Sequence, residues 1–361
     1  MNRRTFLRQM GAGAAAAVAV SYPGKSTKAA ARVQWRMVMS WPPKSPILGE
    51  SMERLAADVA ALSGGRFTIK VFGGGELVPP FGVFDAVSGG IVQMGSSASY
   101  YWAGKIPAAT FFTNVPFGMN AQQANGWLFS GGGLELWREM YEPHGLTVFA
   151  AGNSGVQMGG WFRKELKGLQ DLRGLKMRMP GLGGKVFSKA GGTVVLLAPS
   201  EIYPALERGV IDATEWVGPY LDLRMGLHQA AKHYYYPGWH EPSAVIELTV
   251  NLRAWKSLPK EFQAILETAS GNINNWSLAE FEAKNTQALQ EMITKHGVKL
   301  RRFPDDMLRA FRKGSQEVIE ELASKDPKAR KVYEHYRKYQ DATRSWSKIA
   351  EEAISYALSL G

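Results

Sequence analysis

Residues 200–220 read SEIYPALERGVIDATEWVGPY. The first half has apolar residues at helical spacing, with Ser200 placed to cap the helix and Gly209 placed to end it. The second half, VIDATEW, is a short strand pattern that closes on a carboxylate beside a tryptophan, Glu215 and Trp216. An earlier stretch, residues 81–101, FGVFDAVSGGIVQMGSSASYY, lies over it without a gap. Ala86 falls on Ala205, Gly90 on Gly209 and Tyr101 on Tyr220. Two readings are open. The likeness could be chance, or could reflect only how α/β units resemble each other. Alternatively, the chain holds two similar α/β domains, each aiming a strand end at a shared cleft, so that Ser97 to Tyr101 would face Glu215 and Trp216.

Outside these two stretches the same rhythm continues. VQWRMVMSW from Val33 reads as a strand, SPILGESMERLAADVAALSGG as a helix closed by glycines, and RFTIKVFGG as a second strand. PFGVFDAVSGG is a helix and IVQMGSSASYY a strand. LTVFAAGNSGVQMGGWF reads as one long strand, and LKMRMPG alternates, with Met177 and Met179 on one face and Lys176 and Arg178 on the other. This βαβα pattern predicts an α/β fold with a partly parallel sheet, where ligands sit beyond the carboxyl ends of strands. Beyond Asn251 the periodicity is helical to the end of the chain.

The 361 residues suffice for two domains, and 45% hydrophobic content supports a sizeable core. The first thirty residues stand apart. Arg3, Arg4 and Arg8 form a basic head, Ala14 to Val20 a short apolar run, and residues 28–31 offer small side chains for cleavage. This is the three-part pattern of an export signal, too short to span a bilayer. NRRTFLR resembles the twin-arginine motif. The five basic residues before Ala31 meet no acid, so removing them takes the formal net charge from +11 to +6. The remaining mildly basic chain shows no basic-aromatic motif for nucleic acid, and it carries no apolar run long enough to cross a membrane. Its modest positive field suits a small anionic ligand. The expected location is outside the cytoplasm.

Several chemistries are absent. Without cysteine there is no thiol nucleophile or thiolate metal site, and none of the six histidines forms a short metal-binding spacing. PGLGGKV places Val186 where a phosphate loop needs Ser or Thr. What remains is a set of polar residues in apolar strands. Arg178 needs a partner there: either a structural Asp or Glu, or a ligand carboxylate that matches its planar fork. Glu215 and Glu241 lie near strand ends, and Gln157 adds a neutral oxygen. Such hard donors suit sodium or calcium, unless they are simply solvated surface acids.

IDATEWVGPY, GVQMGGWF, LKMRMPGLGGKV, EIYPALERG and HYYYPGWHEP together closely resemble the solute-binding subunits of tripartite ATP-independent periplasmic (TRAP) transporters. Among these the chain looks most like the branch that binds 2-oxo and 2-hydroxy monocarboxylates with a metal ion. The resemblance implies a two-domain α/β solute-binding fold with crossing hinge strands and C-terminal helices. It implies a signal peptide over 1–31, one domain over 32–154 plus about 244–283, a second over 155–243 plus about 284–325, and a terminal helix over 326–361. It assigns the ligand carboxylate to Arg178, with Gln157, Tyr100 and Tyr101 also touching the ligand. It assigns a cation, sodium or calcium, to Gln157, Glu215, the Trp216 carbonyl and Glu241. The implied partners are a small monocarboxylate and the membrane subunits of a transporter, at a periplasmic location. The implied role is binding without catalysis; an exported metal-dependent enzyme acting on small organic acids is the alternative. The stripe Val332, Tyr336, Tyr339, Trp346, Ala350, Ala353, Ala357 and Leu360 must pack on something, and members of the resembled branch dimerise through such a helix, so a homodimer is expected.

Overall fold

The computed structural model describes residues 32–360, so the expected signal peptide lies outside the described residues. Eleven strands form two sheets among these residues. They are β1 (Val33–Met39), β2 (Phe67–Phe72), β3 (Met94–Ser97), β4 (Leu146–Asn153), β5 (Gly160–Phe162), β6 (Lys176–Arg178), β7 (Thr193–Val195), β8 (Ala213–Thr214), β9 (His233–Tyr236), β10 (Val245–Asn251) and β11 (Lys299–Arg302). The first sheet has the order β2-β1-β3-β10-β4 and the second β11-β9-β5-β8-β6-β7. The strands that read as unbroken apolar runs are buried on both faces. In β4, Val148 and Ala150 enter one apolar cluster while Phe149 and Ala151 enter another.

The helices that matter to the site are α1 (Leu48–Leu62), α2 (Val83–Ser88), α3 (Gly181–Lys189), α4 (Pro199–Glu207) and α5 (Pro219–Met225). The last four are α6 (Lys260–His296), α7 (Asp305–Lys325), α8 (Pro327–Ile349) and α9 (Glu351–Leu358).

The two sheets repeat one plan. In each, a strand and its successor pair in parallel (β1 with β2, β6 with β7), and the next strand adds in parallel on the other side (β3 on β1, β8 on β6). An antiparallel strand follows, and in both cases it comes from the other half of the chain: β10 on β3, β5 on β8. A further antiparallel strand, β4 or β9, completes the match. The internal likeness seen in the sequence therefore reflects a repeated unit. It extends to single hydrogen bonds. Ile91 and Val92 both donate to the Ala86 carbonyl, at 2.9 and 3.3 Å, and Val210 and Ile211 donate to Ala205 at the same two distances. Gly90 and Gly209, with φ of 75° and 72°, make this tight exit from the helix possible, because a side chain is strained in that region.

Several local expectations change. The long strand from Leu146 is two strands in different sheets. Gly155, at φ 67°, breaks it, and its N–H is taken by the Asn153 side chain at 2.9 Å. Residues 154–159 carry the chain from one sheet to the other, and there the apolar Val156 is exposed while Gln157 is buried. β3 stops at Ser97, and residues 99–102 form a single tight helical turn. Ser200 does not cap α4: Pro199 already occupies its first turn, and Glu201 reaches back to the Ala198 N–H at 2.8 Å. The helical C-terminal region is interrupted by β11, which adds in parallel beside β9.

Two chain crossings, 154–159 and 237–244, and the long helix α6 connect the sheets. Ser277 of α6 accepts from Asn153 N–H at the end of β4 (2.9 Å), and two turns on Asn285 accepts from Tyr220 N–H of α5 (3.0 Å).

The expected stripe on the terminal helix divides. Val332 and Tyr336 are buried against the protein's own core, where the Tyr336 hydroxyl accepts from Met119 N–H at 2.7 Å. Trp346, Ile349, Ile354, Tyr356, Leu358 and Leu360 are exposed. The helix breaks at Ala350 (φ −109°, ψ −96°), between α8 and α9.

Candidate functional site

β6 and β8 are neighbours in register, Arg178 beside Thr214, so the chain leaves β8 with Glu215 next to the end of β6. The Glu215 N–H donates to the Arg178 carbonyl at 3.3 Å. Both side chains are 1% exposed. Each nitrogen of the Arg178 guanidinium makes one hydrogen bond. Nη1 donates to Glu215 Oε1, Nη2 to the Tyr101 hydroxyl at 3.2 Å, and Nε to the Leu197 carbonyl at 3.3 Å. It also lies over the Trp216 ring, 5.8 Å from the centroid. Tyr101 belongs to the turn after β3, so one guanidinium links the matching strand ends of the two sheets.

Aromatic contacts follow the same line. Trp41, just past β1, packs at 6.4 Å from Tyr101 and 6.2 Å from Trp216. Tyr100 packs on Tyr101 at 4.8 Å, and its ring lies against Gly181 at the start of α3. Tyr101, and not Tyr100, bonds to Arg178.

The second crossing delivers Glu241, also 1% exposed. The two crossings are tied together: Gln157 N–H donates to the Glu241 carbonyl at 3.0 Å, and Met158 N–H to the Val217 carbonyl at 3.1 Å. Through these bonds Gln157, Glu215, Trp216 and Glu241, separate in sequence, come into one buried region. Gln157 Oε1, Glu215 Oε2 and Glu241 Oε2 are buried with no hydrogen-bond partner among the described residues. Burial, followed by the nearby charge of Glu215, pushes the Glu241 carboxyl well above the usual carboxylate range. Orphaned carboxylate and amide oxygens buried in one region are costly unless a cation partners them, so the donor set fits a hard metal ion.

The sequence reading passed over three groups. His240 is 1% exposed, and its Nε2 is 3.5 Å from Glu215 Oε2. With Glu215 and Glu241 it completes a group whose potential ligand atoms lie within 4.8 Å of one another. Its signal in the sequence was adjacency to Glu241; a search for short histidine spacings misses a site assembled across crossings. Asn114 donates from Nδ2 to the His240 carbonyl at 3.0 Å. Asp222, buried behind Trp216, had no signal beyond lying just past the TEW stretch.

Residues 37–326 match the family model described as bacterial extracellular solute-binding protein, family 7. The chain belongs to this family. It is a solute-binding protein of the TRAP type. A monocarboxylate 2-oxoacid-binding periplasmic protein of Nostoc sp. (strain PCC 7120) is 47% identical, over 90% of this chain and 88% of its own. A TRAP transporter solute-binding protein from Bordetella bronchiseptica RB50 is 42% identical with a TM-score of 0.89, over 91% of this chain and 98% of its own. That structure is a mixed-occupancy dimer, with copurified calcium and picolinate in one site and the other empty. A TRAP periplasmic solute-binding protein from Pseudoalteromonas atlantica T6c, 41% identical with a TM-score of 0.87 over 90% and 99% of the two chains, holds sodium and pyruvate. Among the described residues of this solute-binding protein no helix is long and apolar enough to cross a membrane.

Proposed function

We propose that this protein captures a small 2-oxo or 2-hydroxy monocarboxylate, of the pyruvate, lactate or 2-oxobutyrate type, and delivers it to the membrane subunits of a TRAP transporter without transforming it. The observation that carries this reading is the buried Arg178, bonded to Tyr101 from one sheet and to Glu215 from the other, beside three orphaned oxygens. Gln157, Glu215, the Trp216 carbonyl and Glu241 would hold sodium or calcium. Such an ion supplies positive charge opposite Arg178, against which a carboxylate and its 2-oxo or 2-hydroxy oxygen can lie. Glu215 takes one arm of the Arg178 fork. Once its charge is balanced elsewhere, that arm is free for the ligand carboxylate. Tyr101 and Tyr100 close over the ligand from the first sheet.

The repeated sheet plan supports two lobes, 32–154 with about 244–283 and 155–243 with about 284–325, that close through the two crossings. The exposed apolar residues past Trp346 support a dimer through the segment 326–361, in line with the dimeric Bordetella neighbour. Export by the twin-arginine route would place the protein in the periplasm.

Calorimetry on metal-stripped protein tests the core of this reading. Pyruvate or lactate should bind one per chain when calcium or sodium is restored, and far more weakly without it. Labelled ligand should be recovered unchanged after prolonged incubation. Equal affinity in verified metal-free protein would remove the cation, and turnover of the label would favour the enzyme alternative.

A further inference from the structure

The peptide between Trp216 and Val217 is gripped from one side. Its N–H, on Val217, donates to Asp222 Oδ1 at 3.1 Å. The other carboxylate oxygen, Oδ2, accepts from Trp161 Nε1 at 2.9 Å and from the Tyr234 hydroxyl at 2.7 Å. Asp222 is 1% exposed and makes no ion pair among the described residues. The group is thus a buried carboxyl acceptor aimed at three neutral donors, two of them on β5 and β9 and one on the loop after β8.

In a trans peptide the N–H and C=O point to opposite sides of the chain. The only cis bond among the described residues is Tyr236–Pro237, so the Trp216–Val217 peptide is trans. Holding the Val217 N–H toward Asp222 therefore turns the Trp216 carbonyl away from it. That carbonyl accepts no hydrogen bond among the described residues, although it follows directly on Glu215. A carboxylate acceptor on the N–H also polarises the peptide and adds negative charge to the carbonyl oxygen.

We propose that Asp222 is the positioning residue of the cation site: it fixes and polarises the Trp216–Val217 peptide so that the Trp216 carbonyl serves as a ligand. This rests on the functional reading above, in which that carbonyl holds the ion. Asp222 itself touches neither cation nor solute. Its role differs from that of the bonds to Trp161 and Tyr234, which fasten the same carboxylate to the sheet.

That difference makes the test. Calcium, with sodium in a parallel titration, is titrated by chelator competition into the metal-free full-length mature chain. The wild type is compared with Asp222→Asn and Tyr234→Phe. Asp222→Asn should weaken calcium by about 10- to 100-fold, the usual effect of removing a partner behind a metal ligand. Saturating calcium should restore its solute affinity. Tyr234→Phe, which leaves the Val217 bond in place, should lower the melting temperature and leave calcium affinity within about twofold of wild type by the same reasoning. Unchanged calcium affinity in Asp222→Asn overturns the proposal, as does an equal loss in Tyr234→Phe, which would mark general loosening. A wild type that binds neither cation would instead bring down the cation reading itself.

Should Asp222→Asn not fold, the wild type carries the test. Trp216–Val217 is the only Trp-Val pair in the chain, so carbonyl-13C tryptophan with 15N valine isolates its signal. Calcium should shift the Trp216 carbonyl while the Val217 amide proton stays far downfield, as expected for a carboxylate partner. An amide at an ordinary shift, or a carbonyl that calcium does not move, overturns the proposal.

Discussion

Arg178 is an expensive residue to bury, and the structure shows how its cost is met. Glu215, Tyr101 and the Leu197 carbonyl use all three sides of the guanidinium. Removing one partner of such a buried set leaves the other charge stranded, at about 3–5 kcal/mol. Arg178→Ala should therefore lower monocarboxylate affinity by roughly two to four decades. Arg178→Lys should recover only part of it, because a point charge cannot reproduce the fork. Calorimetry at saturating calcium reads this directly, and wild-type affinity in the alanine variant would end the assignment. The sequence already marked Arg178 as needing a partner, but left open whether that partner was protein or ligand. Glu215 is the protein partner, on one arm of the fork.

Among the elements, α8 and α9 are where pattern and packing diverge. The apolar spacing runs on without a change of character from Val332 to Leu360, yet Tyr336 is 4% exposed and Trp346 62%. The first part fills the protein's own core, and removal after Lys325 would strip Val332 and Tyr336 from it. Removal after Ile349 takes away apolar side chains that are exposed apart from the half-buried Ala350. We expect the shorter trim to leave a folded, ligand-binding monomer, and the longer trim to lower the melting temperature sharply. Light scattering at micromolar concentration checks the mass. A full-length protein that is already monomeric would show that the exposed tail serves some other contact.

For the molecule as a whole, buried carboxylates without a cationic neighbour set the pH dependence. Glu247, on β10, accepts from Trp102 Nε1 at 2.5 Å and from the Tyr141 hydroxyl at 2.8 Å. Burial still pushes it from 4.5 to about 7, and Asp222 from 3.8 to about 7. A carboxyl whose folded value is raised holds its proton longer in the folded state. Its contribution to stability is complete below the unfolded value and is lost as pH rises through about 7. The ligand-free protein should therefore lose stability between about pH 4.5 and pH 7. Glu247→Gln should flatten that slope and gain on the wild type at the alkaline end. Denaturant midpoints across this range measure it, and a variant with the wild-type slope would assign the dependence elsewhere.

The α/β alternation, the paired unit at residues 81–101 and 200–220, and the need of Arg178 for a partner could all be read along the chain. Each depends on local periodicity, on a glycine that permits a tight helix exit, or on the cost of a lone buried charge. Where the chain goes after Gly155 could not be read, because the sheet it joins is decided by pairing partners from distant segments. Nor could the roles of His240 and Asp222 be found, since the partners Glu215, Trp161 and Tyr234 come from other segments of the chain. Whether Arg178 meets Glu215 depends on the register of β6 against β8, two strands separated by a helix, a strand and a second helix. Such a register is set by which faces the sheets bury against each other, a property of the packed molecule that no single segment carries.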